Sequence, residues 1–285
     1  MGRVLRYGGL GPDVLERLDW MRRVLGPALG AALRGTPDGI DLRALIAQAL
    51  HMGDECHSRN RAAQSLLVPE LLSGLLKTSY SNQQIGEVLD FLTGRDYFFL
   101  NLTMASCKAA WLAAEAVPHA SLVTAFSRNG VEFGIRVQGQ WFTAPSPVVE
   151  GRYFPGYSAE DANLDIGDSA ITEASGLGGF AVGGAPAITD FIGGTVAELT
   201  ESLLQMYEIT ASESGYFTLP FLDGRGTPTG VDVFRVLQTG ICPFITTGIA
   251  HKEPGVGQIG AGQVRAPIEC FEKAALASIG VSPQR

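Results

Sequence analysis

The sequence predicts an α+β protein: an N-terminal helical subdomain over residues 1–117, then a mixed, largely antiparallel, glycine-rich α/β region over 118–285, together one compact unit. Three observations carry this. Apolar residues recur at helical spacing through the first 117 positions. At Ser121 the rhythm switches to apolar–polar alternation, in SLVTAFSRNGVEFGIRVQGQWFTAP. And 20 of the 36 glycines fall between residues 145 and 262, where they favour long loops and close backbone packing. Helices first and strands later favour α+β over a doubly wound sheet.

Each element has a local reason. Pro12 followed by Val14, Leu15, Leu18, Met21 and Leu25 predicts a helix that stops before Gly26-Pro27. Asp41 is placed to cap a helix whose stripe is Leu42, Leu45, Ile46, Ala49 and Leu50. Pro69 is expected to open another short helix. Ser81 with Gln84 makes a capping box ahead of Ile85, Val88, Leu89 and Leu92. Arg95 or Asp96 begins a long helix reaching about Val117, before Pro118. Asn129-Gly130 predicts a two-residue hairpin turn, and Gly139 marks a second, giving a meander of two or three strands. Further helices are expected near 195–209, 232–238 and 265–278, with a buried strand in CPFITTGIA, 242–250.

Composition narrows the function. The chain has 285 residues, 46% hydrophobic and 18% charged, as globular proteins do. Net charge is −8, which argues against a nucleic-acid partner. Residues 145–230 carry twelve acids against Arg152 and Arg225 alone, whereas residues 1–67 carry nine basic and seven acidic residues. An anionic ligand therefore belongs near the N-terminal basic residues. No apolar run approaches the roughly 20 residues that span a bilayer. The N-terminus lacks the apolar core of a signal peptide, and the residues after Met1-Gly2 lack a myristoylation Ser/Thr, so the protein is expected to be cytoplasmic, with no membrane partner. Cys56, Cys107, Cys242 and Cys270 form no CxxC pair, which argues against a disulfide framework or zinc ribbon.

The densest chemistry lies in HMGDECHSRNRAAQSLL, residues 51–67. Continuing the Leu42–Leu50 stripe through it would turn Gly53, Cys56, His57 and Asn60 inward, and buried polar groups need partners or a ligand. Gly53 is the position at which that helix could instead end. A solvated helix face with pairs such as Asp54–Ser58 and Glu55–Arg59 is the plain alternative. A catalytic zinc fits poorly, because His51 and His57 do not share a helical face as HExxH histidines do. A Cys56 nucleophile fits poorly too, since sequence neighbours point to different faces. An anion or carbonyl site is the other reading.

Three more segments hold reactive groups. HKEP, 251–254, precedes a glycine-rich stretch in which Gly255, Gly257 and Gly260 match the dinucleotide fingerprint as text. Pro254 and Pro267 deny it the strand–turn–helix setting, so no nicotinamide or flavin cofactor is expected; a glycine-rich loop can still offer backbone N–H groups to an anion, or simply pack tightly. Asn101 and Lys108 lie two turns apart on one face of the long helix, Lys108 as either a snorkelling surface lysine or an inward cation. Asp165, Asp168 and Glu173 leave room for Mg²⁺ with a phosphate, or for a simple turn.

HMGDECHSRNRAA, NLTMASCKAA (101–110), SRNGVEFGIRV (127–137) and TGIAHKEPGVGQIGAG (247–262) together resemble the AllG-like family, over nearly the whole chain from about Arg6 to Ala277. This was long a domain of unknown function and is associated with a subunit of oxamate carbamoyltransferase in allantoin breakdown. The resemblance implies an α+β architecture with a helical subdomain, and an additional N-terminal α/β domain in typical members that this chain lacks. It implies transfer of a carbamoyl group between oxalurate and phosphate, giving oxamate and carbamoyl phosphate, carried out with other subunits of the transferase; a homo-oligomer stays open. Such chemistry needs cations for phosphate and carboxylate, donors for an oxyanion and a proton shuttle. On this reading His57 or His251 moves the proton and Glu55 orients a histidine or arginine. Arg59, with Arg61 or Lys252, holds anions, while Asn60 and the N–H groups near Gly257 face the oxyanion. Asn101, Lys108 and Asn129 complete the substrate-binding candidates. The 51–61 stretch and the 251–260 loop are expected to face one pocket. A non-catalytic scaffold subunit and a stand-alone small-amide hydrolase are the competing readings.

Overall fold

A computed structural model of the chain describes residues 4–36, 38–94 and 97–279. Helices fill the first part: α1 (Pro12–Trp20), α2 (Gly26–Arg34), α3 (Leu42–His51), α4 (Arg61–Leu75), α5 (Asn82–Thr93) and α6 (Phe98–Glu115). Asp41 caps α3 through its carboxylate and the Ala44 N–H, 3.1 Å, and Ser81 with Gln84 forms the full capping box of α5.

Two helix boundaries differ from expectation, both at prolines. The first helix does not stop before Gly26-Pro27. It passes through a π-turn, Met21–Leu25, in which Gly26 N–H reaches back to the Met21 carbonyl. The wider turn seats Pro27 in the first turn of α2, where its missing N–H is not needed. Pro69 likewise lies inside α4 rather than opening a helix, because Leu67, Leu71, Gly74 and Leu75 around it are buried against the core and hold the helix together. Gly74 carries no Cβ for a reason: one would sit 2.3 Å from the Ala32 carbonyl of α2. Arg95 and Asp96, expected to begin the long helix, lie outside the described residues; α6 starts at Phe98 with Tyr97 as its cap.

The strands are antiparallel throughout the described pairings. β1 (Val123–Asn129), β2 (Glu132–Val137) and β3 (Gln140–Pro145) make the expected meander, joined on its far edge by β5 (Ile166–Gly167) in the order β3-β2-β1-β5. Arg128 pairs across to Phe133, so four residues, not two, make the first turn. Gly130 takes the positive φ of 84°, and the Asn129 carboxamide accepts from Val131 and Glu132 N–H at 2.9 and 2.7 Å. The two-residue turn is the second one, where Gln138 and Gly139 both have positive φ between the paired Val137 and Gln140.

A second sheet runs β4-β9-β8, with β4 (Glu150–Tyr153), β8 (Phe244–Ala250) and β9 (Gln258–Arg265). The expected glycine-rich loop is therefore mostly strand: only residues 251–257 turn, and Gly260 and Gly262 lie in the middle strand. A Cβ on either would stand within 2.4 Å of a β4 carbonyl. Of the three fingerprint glycines only Gly260 serves close strand approach; Gly255 and Gly257 take positive φ, 85° and 104°, in the turn between the strands. The terminal helix, α11 (Ile268–Ser278), begins three residues after β9 ends at Arg265. Short helices α7 (Ile171–Ala174) and α8 (Thr189–Ile192), helix α9 (Val196–Ile209) with its Thr195–Glu198 capping box, the hairpin β6 (Thr210–Leu219) and β7 (Arg225–Val231), and α10 (Val233–Thr239) capped by Asp232 complete the fold.

One buried cluster joins these parts, from Leu25 and Leu50 of the helices through Phe126 and Phe133 of the meander to Phe180, Phe244 and Phe271. Among the described residues no helix is long and apolar enough to cross a membrane.

Candidate functional site

The site begins where α3 stops. Gly53, at φ 87°, ends the helix and leaves residues 52–60 as a loop. The loop is nonetheless buried: Asp54, Glu55, Cys56, His57 and Asn60 are all 3% exposed or less. The solvated helix face is thus excluded, and so is the continued stripe, although His57 and Asn60 do turn inward. Burying five such residues requires partners, and the loop supplies most of them itself. Glu55 accepts the backbone N–H groups of His57, Ser58 (2.6 Å) and Arg59 (3.1 Å), so it shapes the loop backbone rather than orienting a ring. Asp54 accepts Ala63 N–H at 2.9 Å and so caps α4 from outside the helix. Its other oxygen lies 3.3 Å from Arg59 Nε in an ion pair without an aligned hydrogen bond. Cys56 holds a positive φ of 60°, a strained conformation for a side-chain-bearing residue. Burial pushes its thiol well above the ordinary value, which removes it as a nucleophile at neutral pH.

These constraints aim the His57 ring at residues far along the chain. Nδ1 lies 2.8 Å from Glu173 Oε1 and 3.2 Å from Thr246 Oγ1, and Nε2 lies 2.7 Å from Ser169 Oγ. Glu173, in α7, is itself held by Thr172 Oγ (2.9 Å) and by the N–H groups of Gly179 (3.2 Å) and Thr246 (3.3 Å). Gly178 makes the approach of His57 and Glu173 fit: at φ 58°, a Cβ there would lie 2.4 Å from Glu173 Oε1 and 2.9 Å from His57 Nδ1. Ser169 lies two residues past the end of β5, and the pairing of β5 with β1 delivers it.

Beneath lies a second buried pair. Arg128 of β1 donates to Asp165 (2.7 Å) and to Thr247 Oγ1 (2.9 Å), and Thr247 Oγ1 donates to Asp165 at 2.8 Å. Arg128 Nη1 is buried without a hydrogen bond, close under Gly167.

Two adjoining hollows open onto this constellation. The narrow one is lined by His57, Ser58, Gly167, Ser169, Thr247, Gly248 and Gln258, with Arg6 and Tyr7 at its rim. The wider, about 340 Å³, is lined by Ser58, Arg59, Asn60 and Arg61 with Tyr97, Phe154 and Phe191. Ser58, Tyr97 and Phe191 border both. Of the 251–260 segment, expected to share a pocket with the 51–61 stretch, only Gln258 at the start of β9 lines the narrow hollow; the turn at 251–257 does not, and Thr246, Thr247 and Gly248 of β8 stand by His57 and Ser58 instead. His251 faces elsewhere: its Nδ1 accepts from Glu253 N–H at 2.8 Å and its ring meets Tyr157 edge-on. Lys252 Nζ donates to the Glu160 carbonyl at 2.7 Å, and the Gly257 carbonyl accepts His251 N–H.

The other sequence candidates separate from the pocket. Asn101 bonds the Phe98 carbonyl on an exposed face of α6, Lys108 lies 3.6 Å from Glu115, and Asn129 is used by the hairpin turn. His51 reaches Thr218 Oγ1 at 2.8 Å, away from His57. Asp165, Asp168 and Glu173 do not converge for Mg²⁺: Asp165 pairs with Arg128, Glu173 with His57, and Asp168 is exposed. Among the described residues no three His, Cys, Asp or Glu are grouped to hold a metal ion. Asn60 stays at the wider hollow, its Nδ2 donating to the His57 carbonyl (2.6 Å) and its buried Oδ1 unpaired. Ser169, Thr246, Thr247 and Arg128 were not singled out from sequence; a lone serine and two strand threonines carry no local signal.

Burial pushes Glu55 up from 4.5 to about 7, against the opposing pull of His57 and the backbone donors. Burial alone would favour a neutral His57, but the Glu173 carboxylate outweighs it and the net direction is upward. Both groups hold protons more tightly folded than unfolded. Their contribution to stability is full on the acid side and is lost as pH rises. For Glu55 the loss runs from 4.5 to about 7, and for His57 it begins above 6.5 and is complete once pH passes the raised value. The Glu55 part amounts to roughly 3 kcal/mol. Melting curves between about pH 4 and pH 8 are expected to show the parent losing stability relative to Glu55→Gln across that window; parallel profiles would show that Glu55 does not titrate there.

The sequence model of one family, described as "Oxamate carbamoyltransferase subunit AllG", matches residues 1–169. The chain is 50% identical over 279 residues to "Uncharacterized protein YahG" of Escherichia coli (strain K12), covering 97% of this chain and 59% of that protein. It is 49% identical over 278 residues to "Oxamate carbamoyltransferase subunit AllG" of the same organism, covering 96% of this chain and 66% of that protein. It thus spans about three-fifths to two-thirds of these relatives' length. Its fold is similar to a crystal structure of a conserved protein of unknown function from Enterococcus faecalis V583, with a TM-score of 0.96 and 49% identity over 99% of this chain and 68% of that one.

Proposed function

The chain belongs to the AllG family of oxamate carbamoyltransferase subunits, and from that premise we propose that it is a catalytic subunit of a carbamoyltransferase acting on oxalurate and phosphate. Oxamate and carbamoyl phosphate are the products, in cytoplasmic allantoin breakdown, and other subunits of the transferase are the partners. The observation that carries this reading is the His57 ring, fixed at Nδ1 by Glu173 and lining the narrow hollow with Arg6, next to the wider hollow that Arg59 and Arg61 line. A proton shuttle beside cationic side chains is what moving an uncharged carbamoyl group between two anions requires. Arg59 and Arg61, at the start of α4, suit a phosphate or carboxylate, helped by the positive end of the helix. The buried histidine also weighs against a scaffold role, because a scaffold gains nothing from a titrating group held at the end of a cleft.

The test is reconstitution. Oxalurate and phosphate are mixed with this chain alone, with the remaining subunits alone, and with both. Carbamoyl phosphate formed only by the combination supports a subunit role, and formation by the remaining subunits alone would overturn it. Ammonia release without phosphate would point to a hydrolase instead. Arg59→Ala is expected to weaken phosphate binding by about 1.5 kcal/mol, the low end for a charge-assisted hydrogen bond, since Asp54 already shares that guanidinium. Calorimetry on the assembled complex reads it.

A further inference from the structure

Ser169 Oγ, the His57 imidazole and the Glu173 carboxylate form one line, with contacts of 2.7 Å at Nε2 and 2.8 Å at Nδ1. The geometry points to Ser169 as a nucleophile that carries the carbamoyl group as an O-carbamoyl ester, with His57 as its base and Glu173 as the positioning residue. This rests on the carbamoyl-transfer reading and gives it a covalent step.

The tautomer supports it. Glu173 Oε1 is an acceptor that faces Nδ1, so in the neutral ring the proton sits on Nδ1 and Nε2 is left with its lone pair toward Ser169. The hydroxyl must then donate to Nε2, which is the arrangement that activates a serine. Glu173 is fixed in turn by Thr172 and two backbone N–H groups, so the ring has a rigid backing. Gly178 keeps that contact open, as any Cβ there would press on both His57 and Glu173. Ser169 is 8% exposed and lines the narrow hollow beside Gly167 and Gly248, so its oxygen is reachable from the pocket. A purely structural serine–histidine contact would need neither the access nor the third group.

The chemistry balances. Ser169 Oγ attacks the terminal carbamoyl carbon of oxalurate. A C–O bond forms, the bond from that carbon to the inner nitrogen breaks, and the hydroxyl proton passes through His57 Nε2 to the leaving nitrogen of oxamate. A phosphate oxygen then attacks the same carbon, the serine C–O bond breaks, and the proton taken from hydrogen phosphate returns through His57 to Ser169. Carbamoyl phosphate leaves and the serine is restored.

The first experiment uses a fluorophosphonate, a probe that labels activated serines without any assumption about the substrate, on the full chain, followed by peptide mapping. One adduct is expected, on Ser169. Its rate should fall about 100-fold or more in His57→Gln and vanish in Ser169→Ala, both melting like the parent. Glu173→Gln should slow labelling and move its pH midpoint downward, which a merely structural carboxylate would not do. The second experiment mixes the assembled complex with oxalurate and no phosphate. A carbamoyl adduct on Ser169 should accumulate and discharge when phosphate is added. Ser169→Ala with full turnover, or labelling indifferent to His57, overturns the nucleophile and leaves the transferase reading standing. Labelling of Ser169 without any turnover of oxalurate overturns the transferase reading and keeps the activated serine.

Discussion

His57→Gln is expected to reduce kcat of the assembled complex by about 10²- to 10⁴-fold, the usual worth of a positioned proton-transfer group, while leaving phosphate affinity close to the parent's. The reasoning separates binding from chemistry. On the proposed reading anion contacts fall to Arg59 and Arg61, which line the wider hollow and which the substitution does not touch. On the same reading the proton path falls to Nε2, which it removes. Glutamine is the better test than alanine, because its amide can still donate to Glu173 and so avoids leaving a buried carboxylate without a partner. His57→Ala would confound lost chemistry with lost stability. Single-turnover rates and phosphate titration calorimetry on the same preparation read the two quantities separately. A loss confined to KM would mean that His57 only binds, and unchanged turnover would remove it from the chemistry.

Asp165→Asn should cost the most stability. Arg128 and Asp165 are 4% and 0% exposed, 2.7 Å apart, and tied to Thr247 between them. Neutralising one partner leaves a buried guanidinium unpaired, a loss of about 3–5 kcal/mol. At this chain length that lowers the melting temperature by roughly 6–20 °C, taking about 2–4 °C per kcal/mol. Replacing the pair together, Arg128→Met with Asp165→Leu, should recover most of the loss, since two apolar side chains need no partner. Thermal melts of Arg128→Met, Asp165→Leu and the double make a cycle that isolates the coupling. If Asp165→Asn melts like the parent, the pair is solvated and does not anchor β5 to β1. Because β5 delivers Ser169, that result would also weaken the case for a rigid pocket.

The caps at Asp41 and Ser81, the meander, the helix near 195–209 and the buried strand at 242–250 were all legible in the sequence. Each depends on contacts within a few residues or on a simple period, so the local chain carries the information. Misreadings came where packing overrode a local rule: Pro27 and Pro69 were absorbed by helices with buried faces, and Gly260 and Gly262, expected in a loop, served strand contact. Of the candidate site, the sequence singled out His57, Glu55, Arg59, Arg61 and Asn60, because a dense polar run amid apolar neighbours demands explanation. It could not assign Glu55 to the loop backbone and Glu173 to the ring, nor send His251 and Lys252 to a separate surface. The partners of His57 lie 112 and 116 residues away. Only the pairing of β5 with β1, the turn at Gly178 and the packing of β8 bring them within hydrogen-bonding distance. A histidine and a serine separated by that much chain carry no spacing signal, since their approach is set by long-range burial and sheet register rather than by local geometry.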